Sequence, residues 1–572
     1  MSNEIIVRDA SNNNLKNISV SIPLNRYVAL MGKSGSGKST LAVDVILAGY
    51  IKKYYNVIVP VKPELFKQRT SGYSKKCSLL KFMELNVISK NKELTVIEYL
   101  RLIKITSKFT AENLLIIAEK LGILEISMNK NISEMSLTEY NKCRFLKLLI
   151  SSEAELFIID ELCAGMIYEE ACAVADIFKY IVSLGFSIIA IEHSLPIISS
   201  AEYVVVMGPE AGINGGKVVF AGEMSEYKKR DTWKQMILTY NTNININQGS
   251  KKLLKISDVN YHSFSKMEIK IPLEGIVAVC GGMCAGKSSM LEIIYRACDK
   301  SANAWKNRKG IDGEITGKNY IRRPYIIDQT PIGNNSMSTP ATYASIMDSI
   351  RNFYYNSKDN EIAKMDKSEF SYNGTGKCLK CGGTGCFETD AGTEKIYITC
   401  SDCGGKRYKK SVEIVKENGL MIGEVLTTSC KELYDIYKED RRKKNLNDKI
   451  GFINEVGLSY LTLGQPSSTL SGGESQRIKI TKELAKKLGD RCLFILDSPA
   501  KGLHVEDLPD VMKVLKKLVS KNNSIIISEN NPFFIYNADW VIYLDQGKII
   551  YQGEPINLPT KCKKRLGIGV NV

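Results

Sequence analysis

The sequence predicts an α/β fold with two parallel-sheet cores in tandem, and three observations support it. Short apolar runs alternate with segments of helical periodicity, which is the pattern of parallel sheets flanked by helices. The first half recurs in the second, since residues 20–40 (VSIPLNRYVALMGKSGSGKST) match residues 269–289 (IKIPLEGIVAVCGGMCAGKSS). Two later apolar strings also recur, residues 156–161 as 493–498 and residues 187–194 as 524–531.

The repeat sets the predicted domain boundaries. We place a first domain at residues 1–230, a linker at 231–252, a second domain at 253–556 and a C-terminal tail at 557–572. The linker assignment depends on the polar string Tyr240–Ser250, which is rich in asparagine and has no apolar periodicity.

Composition indicates a soluble globular protein with a polyanionic partner. The 572 residues are 44% hydrophobic and 24% charged, and no apolar run is long enough to span a membrane. The first residues lack the apolar core of a signal peptide, so we expect a cytoplasmic protein whose 15 cysteines are metal ligands or buried thiols. A net charge of +16 favours nucleic acid as partner, although lysine-rich codon usage would also raise it.

Two glycine-rich loops match the phosphate-binding pattern G-x-x-x-x-G-K-[ST], each between a predicted strand and a predicted helix. Glycines let backbone N–H groups surround phosphates, the lysine neutralises them, and the serine hydroxyl reaches Mg²⁺. The predicted ATP-binding residues are Gly32, Gly35, Gly37, Lys38, Ser39 and Thr40 in the first loop and Gly281, Gly286, Lys287, Ser288 and Ser289 in the second.

Acidic residues end the next pair of apolar strings. Asp160 and Asp497 are the predicted magnesium partners. Glu161 follows Asp160 and could deprotonate the attacking water, and His193, after the next apolar string, could sense the γ-phosphate. The alternative for His193 is an ordinary strand-end residue.

Ser471, Gly472 and Gly473 open a helical pattern with a glycine turn that can present N–H donors to a phosphate. This stretch resembles the signature motif of ABC-type ATPases, in which two domains face head to tail. That resemblance implies two ABC-type P-loop nucleotide-binding domains, with each nucleotide between one domain's loop and the other's signature. The equivalent first-half stretch, Met135–Lys142, has lost both glycines.

The resemblance therefore divides the two sites unequally. The site of Lys38, Glu161 and His193 would use the intact signature at Ser471. The site of Lys287 would have Ser498 for glutamate, Asn530 for histidine and the degenerate signature. A serine hydroxyl cannot act as a base near pH 7, so we predict one hydrolytic site and one that binds ATP with slow turnover.

A zinc-binding module is predicted at about residues 370–412, within an insert that lengthens the second half. The pairs Cys378/Cys381 and Cys400/Cys403 have the C-x₂-C-x₁₈-C-x₂-C spacing of a structural Zn²⁺ site. Cys386 lies off this spacing. Basic and aromatic residues flank the predicted zinc site, and they indicate either a DNA-contacting surface or a solvated basic face. These residues are Lys377, Lys380, Lys406, Arg407, Lys409, Lys410, Tyr397 and Tyr408.

Together these residues resemble the UvrA family, the damage-recognition ATPases of the bacterial excinuclease. Asn14–Asn17, Ile327–Gly333, Thr339–Tyr343 and Phe370–Asn373 are similar to UvrA strings in their own places. The resemblance implies double-stranded DNA as partner, a homodimer, and a glutamine at Gln329 that couples Mg²⁺ to the helical region. Gln68 is the first-half candidate for that role.

The chain also departs from the family. UvrA proteins have a zinc pair and a UvrB-docking domain between the first loop and the first signature, but here that interval is 98 residues with the lone Cys77. We therefore expect a shortened UvrA-like paralogue that does not load UvrB in the usual way. The alternatives are a soluble ABC ATPase for antibiotic tolerance, acting on the ribosome, RNA or a DNA–drug adduct, and a transporter ATPase subunit.

Overall fold

A computed structural model describes most of the chain. The described residues are 4–12, 14–49, 69–71, 77–81, 93–101, 108–124, 126, 128–241, 252–262, 264–282, 284–299, 312–333, 335–391, 394–485 and 490–569. They form two compact units, the first made of residues 1–326 with 491–572, and the second of residues 327–490.

The first unit contains two six-stranded sheets with the same strand order. Within the described registers, neighbouring strands of each sheet run parallel except for the last pair, which is antiparallel. In spatial order, the strands of the first sheet are Cys77–Lys81, Leu156–Asp160, Ser187–Ile191, Tyr27–Gly32, Tyr203–Gly208 and Lys217–Glu223. Those of the second sheet are Arg323–Ile327, Cys492–Asp497, Ser524–Ser528, Ile276–Gly281, Trp540–Asp545 and Lys548–Gly553.

The central strands form because their residues are apolar, largely β-branched and covered on both faces. Every residue of Tyr27–Gly32, Leu156–Asp160, Ser187–Ile191 and Ser524–Ser528 is buried. Full burial of each valine, leucine or isoleucine contributes about 1.5–3 kcal/mol relative to exposure, so these strands stabilise the core of the unit. The parallel α/β prediction is confirmed.

Two smaller antiparallel sheets pack beside these cores, Ile18–Pro23 with Glu4–Ala10 and Arg69–Ser71, and Phe264–Pro272 with Leu253–Tyr261 and Asp312–Thr316. The helices of the unit are Thr40–Leu47, Val96–Arg101, Ala111–Lys120, Leu137–Ser151, Tyr168–Ser183, Leu195–Ser200, Met224–Tyr227, Asp231–Asn241, Lys287–Cys298, Leu508–Val519, Pro532–Tyr536 and Thr560–Leu566. Among the residues described, no helix has the length and hydrophobicity needed to cross a bilayer.

The predicted linker and the predicted tail both contain helices. Residues 231–241, predicted as linker, form a helix because Trp233 and Met236 supply apolar side chains one turn apart, and both are buried. Residues 560–566, predicted as tail, form a helix that buries Cys562 and Leu566. Residues 242–251 of the linker lie outside the described part.

The second unit is mainly helical and contains a two-stranded hairpin between the cysteine pairs. Its strands are Cys386–Ala391 and Glu394–Thr399, with a short pair at Lys416–Glu417 and Leu420–Met421. Its helices are Pro340–Tyr343, Met347–Tyr355, Lys358–Ala363, Ile422–Thr427, Cys430–Tyr437, Lys444–Glu455 and Gly472–Ala485.

Candidate nucleotide sites and cysteine cluster

Both glycine-rich loops need glycine for a steric reason. Gly32 and Gly281 have φ of 141° and 150°, and a Cβ on either would lie 2.2 Å from a carbonyl oxygen of the neighbouring strand, that of Met207 or Leu544. A side chain at these positions would therefore displace the strand next to the loop. Positive φ also occurs at the other predicted loop glycines Gly35, Gly37 and Gly286.

The loop lysines adopt the same position in both halves. Lys38 Nζ donates to the carbonyl oxygens of Gly32 at 2.7 Å and Lys33 at 2.8 Å. Lys287 Nζ donates to those of Gly281 at 2.6 Å and Gly282 at 2.9 Å. Each ammonium is held against the loop that would surround the phosphates. Burial lowers the pKa of Lys287.

The loop hydroxyls lie at the start of the following helices. Ser39 precedes Thr40–Leu47, and its hydroxyl makes no capping hydrogen bond. Ser288 and Ser289 lie in the first turn of Lys287–Cys298, which begins at the left-handed Gly286. A helix N-terminus offers N–H donors to phosphate oxygens, so each loop with its helix fits a nucleotide phosphate and a hydroxyl-bound Mg²⁺.

The strand order brings the predicted first-half acids and histidine together. Asp160 ends its strand and is buried, and Glu161 follows with a left-handed φ of 54°. Glu161 N donates to Ile191 O at 2.9 Å, which fixes the carboxylate at the carboxyl edge of the sheet. His193 Nε2 lies 4.0 Å from Glu161 Oε1. Three predicted residues thus share one edge with the first glycine loop.

The second half repeats this backbone with other side chains. Ser498 has φ of 51° and donates its N–H to Ser528 O at 2.8 Å. Its hydroxyl donates to Asp497 Oδ1 at 3.3 Å, and burial raises the pKa of Asp497. Asn530 Oδ1 accepts from Gly281 N at 3.1 Å. A hydroxyl and an amide therefore stand where the first half has a carboxylate and an imidazole.

Two buried carboxylates complete the sites and were not among the predicted residues. Glu192 accepts from Cys163 N at 2.8 Å, and Glu529 accepts from Ala500 N at 2.8 Å. Each holds the segment that follows the strand-end acid of its own half. Burial raises the pKa of Glu192 to about 8. The signal in the sequence is an acidic residue at the same place in both apolar strings, directly before His193 and Asn530.

The degenerate signature lies beside the second glycine loop. Ser136 caps the helix Leu137–Ser151, since Ser136 Oγ accepts from Glu139 N at 3.2 Å and Glu139 Oε2 accepts from Ser136 N at 2.7 Å. Cys284 of the second loop has its Sγ 3.8 Å from Ser136 Oγ. The first unit therefore brings this serine to the loop with which it was predicted to share a nucleotide.

The intact signature belongs to the second unit. Ser471 caps the helix Gly472–Ala485 with the same pair of bonds to Glu474, at 3.2 and 2.8 Å. From this helix Gln476 Nε2 donates to Ile327 O at 2.9 Å and Lys479 Nζ donates to Asp328 O at 3.1 Å. The signature helix is thus bonded to the segment that leads into Gln329. Gln68, the first-half candidate, lies outside the described residues.

The four predicted cysteines form one cluster. The sulfur atoms of Cys378, Cys381, Cys400 and Cys403 all lie within 4.8 Å of one another, and all four residues are buried. Although burial raises the pKa of Cys381, the N–H groups of Gly385 and Gly383 lower it to about 7, which favours a thiolate. Four convergent sulfurs fit a tetrahedral structural Zn²⁺ with no open position.

The predicted basic surface needs correction. Arg407 and Tyr408 are each 1% exposed, because the Arg407 guanidinium donates to Gly464 O and Gly383 O while the Tyr408 hydroxyl donates to Phe370 O. Lys406 and Lys409 are half-buried and form ion pairs. The side chain of Tyr397 lies outside the described part. The exposed cations of this set are Lys377, Lys380 and Lys410.

Sequence comparisons give the same family as the motifs. An ABC transporter family model matches residues 15–164. UvrABC system protein A of Helicobacter pylori is 33% identical over 423 residues, covering 72% of this chain and 45% of that protein. The Thermus thermophilus protein is 32% identical over 414 residues, covering 70% and 43%. The chain thus spans about half the length of the curated relatives it matches.

Structural comparison gives the fold over nearly the whole chain. The crystal structure of UvrA2 from Deinococcus radiodurans aligns with a TM-score of 0.82 and 19% identity, covering 97% of this chain and 98% of that one. A model of ribosome-bound archaeal Pelota and ABCE1 aligns less well, with a TM-score of 0.54 and 12% identity. The sequence relatives show that the chain belongs to the UvrA family of ABC ATPases.

Proposed function

We propose that this protein is a DNA-binding ATPase with two tandem ABC-type nucleotide-binding domains, one of which carries the hydrolytic ATP site. The observation that carries the proposal is the contrast between two matched strand ends. Glu161 lies 4.0 Å from His193 at one of them. Ser498 and Asn530 take their positions at the other on the same backbone, and neither side chain can accept a proton near pH 7.

An ABC ATPase implies ATP and Mg²⁺, and the first-half residues fit both. Lys38 would neutralise the outer phosphates, and Ser39 with Asp160 would hold the Mg²⁺, which supplies charge stabilisation at the phosphoryl oxygens. Glu161 orients the attacking water and accepts its proton, and His193 donates to the γ-phosphate. Ser471–Gly473 would contribute N–H donors to the same nucleotide, as in a head-to-tail pair of domains.

The second site would bind ATP and turn it over slowly. Lys287, Ser288 and Asp497 retain the groups that bind phosphate and Mg²⁺, while Ser498 removes the base. Ser136 is 3.8 Å from Cys284, which supports a composite second site that uses the degenerate signature. Such a site would keep the two halves together while the first site completes its cycle.

DNA is the partner that charge and relatives support. The chain carries a net charge of +16, and the UvrABC system proteins are its relatives at about a third identity. Lys377, Lys380 and Lys410 are exposed around the cysteine cluster, so they would contact phosphates. Homodimerisation and the absence of the usual UvrB docking stay predictions. Action on the ribosome has no support beyond a fold shared at 12% identity.

The proposal is tested by steady-state ATPase assays of Glu161→Gln. We expect kcat to fall by about 10²-fold or more, because the amide keeps the shape of the side chain but cannot take the proton. The matched control is Glu119→Gln, which makes the same chemical change at an exposed position of the helix Ala111–Lys120 and should leave kcat unchanged. Normal turnover in Glu161→Gln would contradict the proposal.

A further inference from the structure

Beyond each strand-end acid, a short segment reaches the glycine loop of the other half. In the second half, a Cβ on Gly502 would lie 3.4 Å from Glu161 Oε1, and Glu506 Oε2 lies 3.1 Å from Lys33 Nζ in the first glycine loop. Residues 502–506 therefore lie at the proposed hydrolytic site, although they belong to the half that lacks the base.

The crossing is reciprocal. In the first half, Gly165 O accepts from Asn530 Nδ2 at 2.9 Å. A cavity of about 130 Å³ separates the two segments and is lined by Glu161, His193, Gly502 and Asn530 among others. Each half thus supplies a segment to the site whose phosphate loop belongs to the other half.

His504 is the ionisable residue at the centre of the second-half segment. It is 9% exposed, and its ring centroid lies 6.1 Å from that of His193 with the ring planes at 81°. Glu506 N donates to His504 Nδ1 at 3.4 Å, which puts the proton of the neutral ring on Nε2. Burial lowers the pKa of His504 to about 4; Glu506 opposes this shift, and the charges of Lys38 and Lys33 add to it.

The equivalent first-half position is Ile167, which has neither charge nor a hydrogen-bonding group. Its Cδ1 lies 3.7 Å from where a Cβ on Gly282 of the second glycine loop would be. The second loop therefore faces an alkyl side chain from the segment whose counterpart carries an imidazole at the same position. This difference falls in the same site as Ser498 and Asn530.

We propose that His504 is a positioning residue of the first-half ATP site, supplied by the second half. Its neutral ring packs edge-to-face with His193 and fixes that imidazole relative to Glu161 and the γ-phosphate. Hydrolysis at the first site then depends on the position of the second half, because the second half supplies His504. The second site has Ile167 at the equivalent position and lacks this dependence. This inference rests on the proposed ATPase function.

The test is ATPase kinetics of His504→Ile, which copies the residue of the other segment. We expect kcat to fall about tenfold, because a reacting group is misplaced, while KM for ATP stays within about twofold. His504→Phe, which keeps a planar ring against His193, should recover most of the loss. In combination with His193→Gln, the His504→Ile change should cause no further loss, because both act through one imidazole.

Controls separate this role from a structural one. His262→Asn changes an exposed histidine that has a left-handed φ of 52°, which asparagine tolerates, and should leave kcat and KM unchanged. If His504→Ile lowers the melting temperature, His504→Asn decides, because it keeps an acceptor for Glu506 N–H and lacks the ring.

The outcomes are distinct. Wild-type kcat in both His504→Ile and His504→Asn, with Glu161→Gln inactive, overturns this inference alone. Additive losses in the double variant overturn the route through His193. Wild-type turnover in Glu161→Gln overturns the proposed function itself.

Discussion

At the scale of single residues, Arg407 shows how a cation can serve the fold instead of a ligand. Its guanidinium donates through Nε and Nη2 to Gly464 O, at 3.2 and 2.8 Å, and through Nη1 to Gly383 O at 3.2 Å. It also lies 5.1 Å from the centroid of the Tyr372 ring. The planar fork thus ties the turn after the first cysteine pair to the loop that precedes the signature.

Arg407→Lys should therefore destabilise the protein by about 2 kcal/mol, because an ammonium cannot reproduce three hydrogen bonds in one plane. The midpoint of urea unfolding measures this. Arg442→Lys is the matched control, since the Arg442 side chain is 66% exposed and exposed ion pairs contribute little. Equal midpoints for the two variants would show that the clamp does not hold the fold.

Sequence reasoning about single residues succeeded where chemistry and spacing are linked. The cysteine spacing predicted a zinc site, and the four sulfurs converge. The two glycine patterns predicted phosphate-binding loops, and their glycines adopt the positive φ that such a tight turn requires. The sequence could not show that Arg407 is buried and Lys410 exposed. Both are cations that follow the second cysteine pair, and only the packing of the folded chain decides which one is buried.

At the scale of elements, the cysteine cluster is a closed unit that joins the ends of the hairpin Cys386–Thr399. Cys378 and Cys381 precede the first strand, and Cys400 and Cys403 follow the second. The cysteines lie at both ends of the hairpin, so a metal that binds all four thiolates would hold the two ends together and add to its stability.

Replacing Cys400 should remove the metal. We expect purified wild-type protein to contain about one Zn²⁺ per chain and Cys400→Ser to contain almost none, as measured by elemental analysis. Cys386→Ser is the matched control, because Cys386 lies in the same module outside the four-sulfur group and should leave the zinc content unchanged. Retention of zinc by Cys400→Ser would contradict the four-thiolate assignment.

Elements with strong periodicity were predictable, and their ends were not. The apolar strings gave the central strands of both sheets because burial on two faces requires continuous apolar residues. The helix Thr560–Leu566 was missed because it has only two buried apolar residues, and the ion pairs of Arg565 with Glu169 at 2.7 Å and Asp545 at 3.0 Å depend on distant parts of the chain.

At the scale of the whole molecule, the net charge of +16 sets the expected mode of partner binding. Lysine and arginine side chains that neutralise phosphates release counterions, so the affinity depends on salt and little on sequence. Arg407 is buried and Lys406 and Lys409 are ion-paired, so we expect the exposed cations to make these contacts.

Electrophoretic mobility shifts should therefore show binding to duplex DNA that weakens by about tenfold or more between 50 and 200 mM salt. Lys377, Lys380 and Lys410 changed together to glutamine should weaken binding and reduce the salt dependence. Glu119→Gln is the exposed-site control for the protein preparation. Preference for ribosomal RNA over duplex DNA at every salt concentration would favour the alternative of a ribosome or RNA factor.

The left-handed backbone at Ser498 has an evolutionary consequence. A φ of 51° costs about 1 kcal/mol for a residue with a Cβ, yet the backbone hydrogen bonds of Ser498 to Ser528 and Lys501 keep the same turn that Glu161 adopts. A mutation to glutamate would therefore restore the missing carboxylate on a ready-made scaffold. The opposing helix start has leucine and threonine at positions 137 and 138 in place of two glycines, so reversal there is harder.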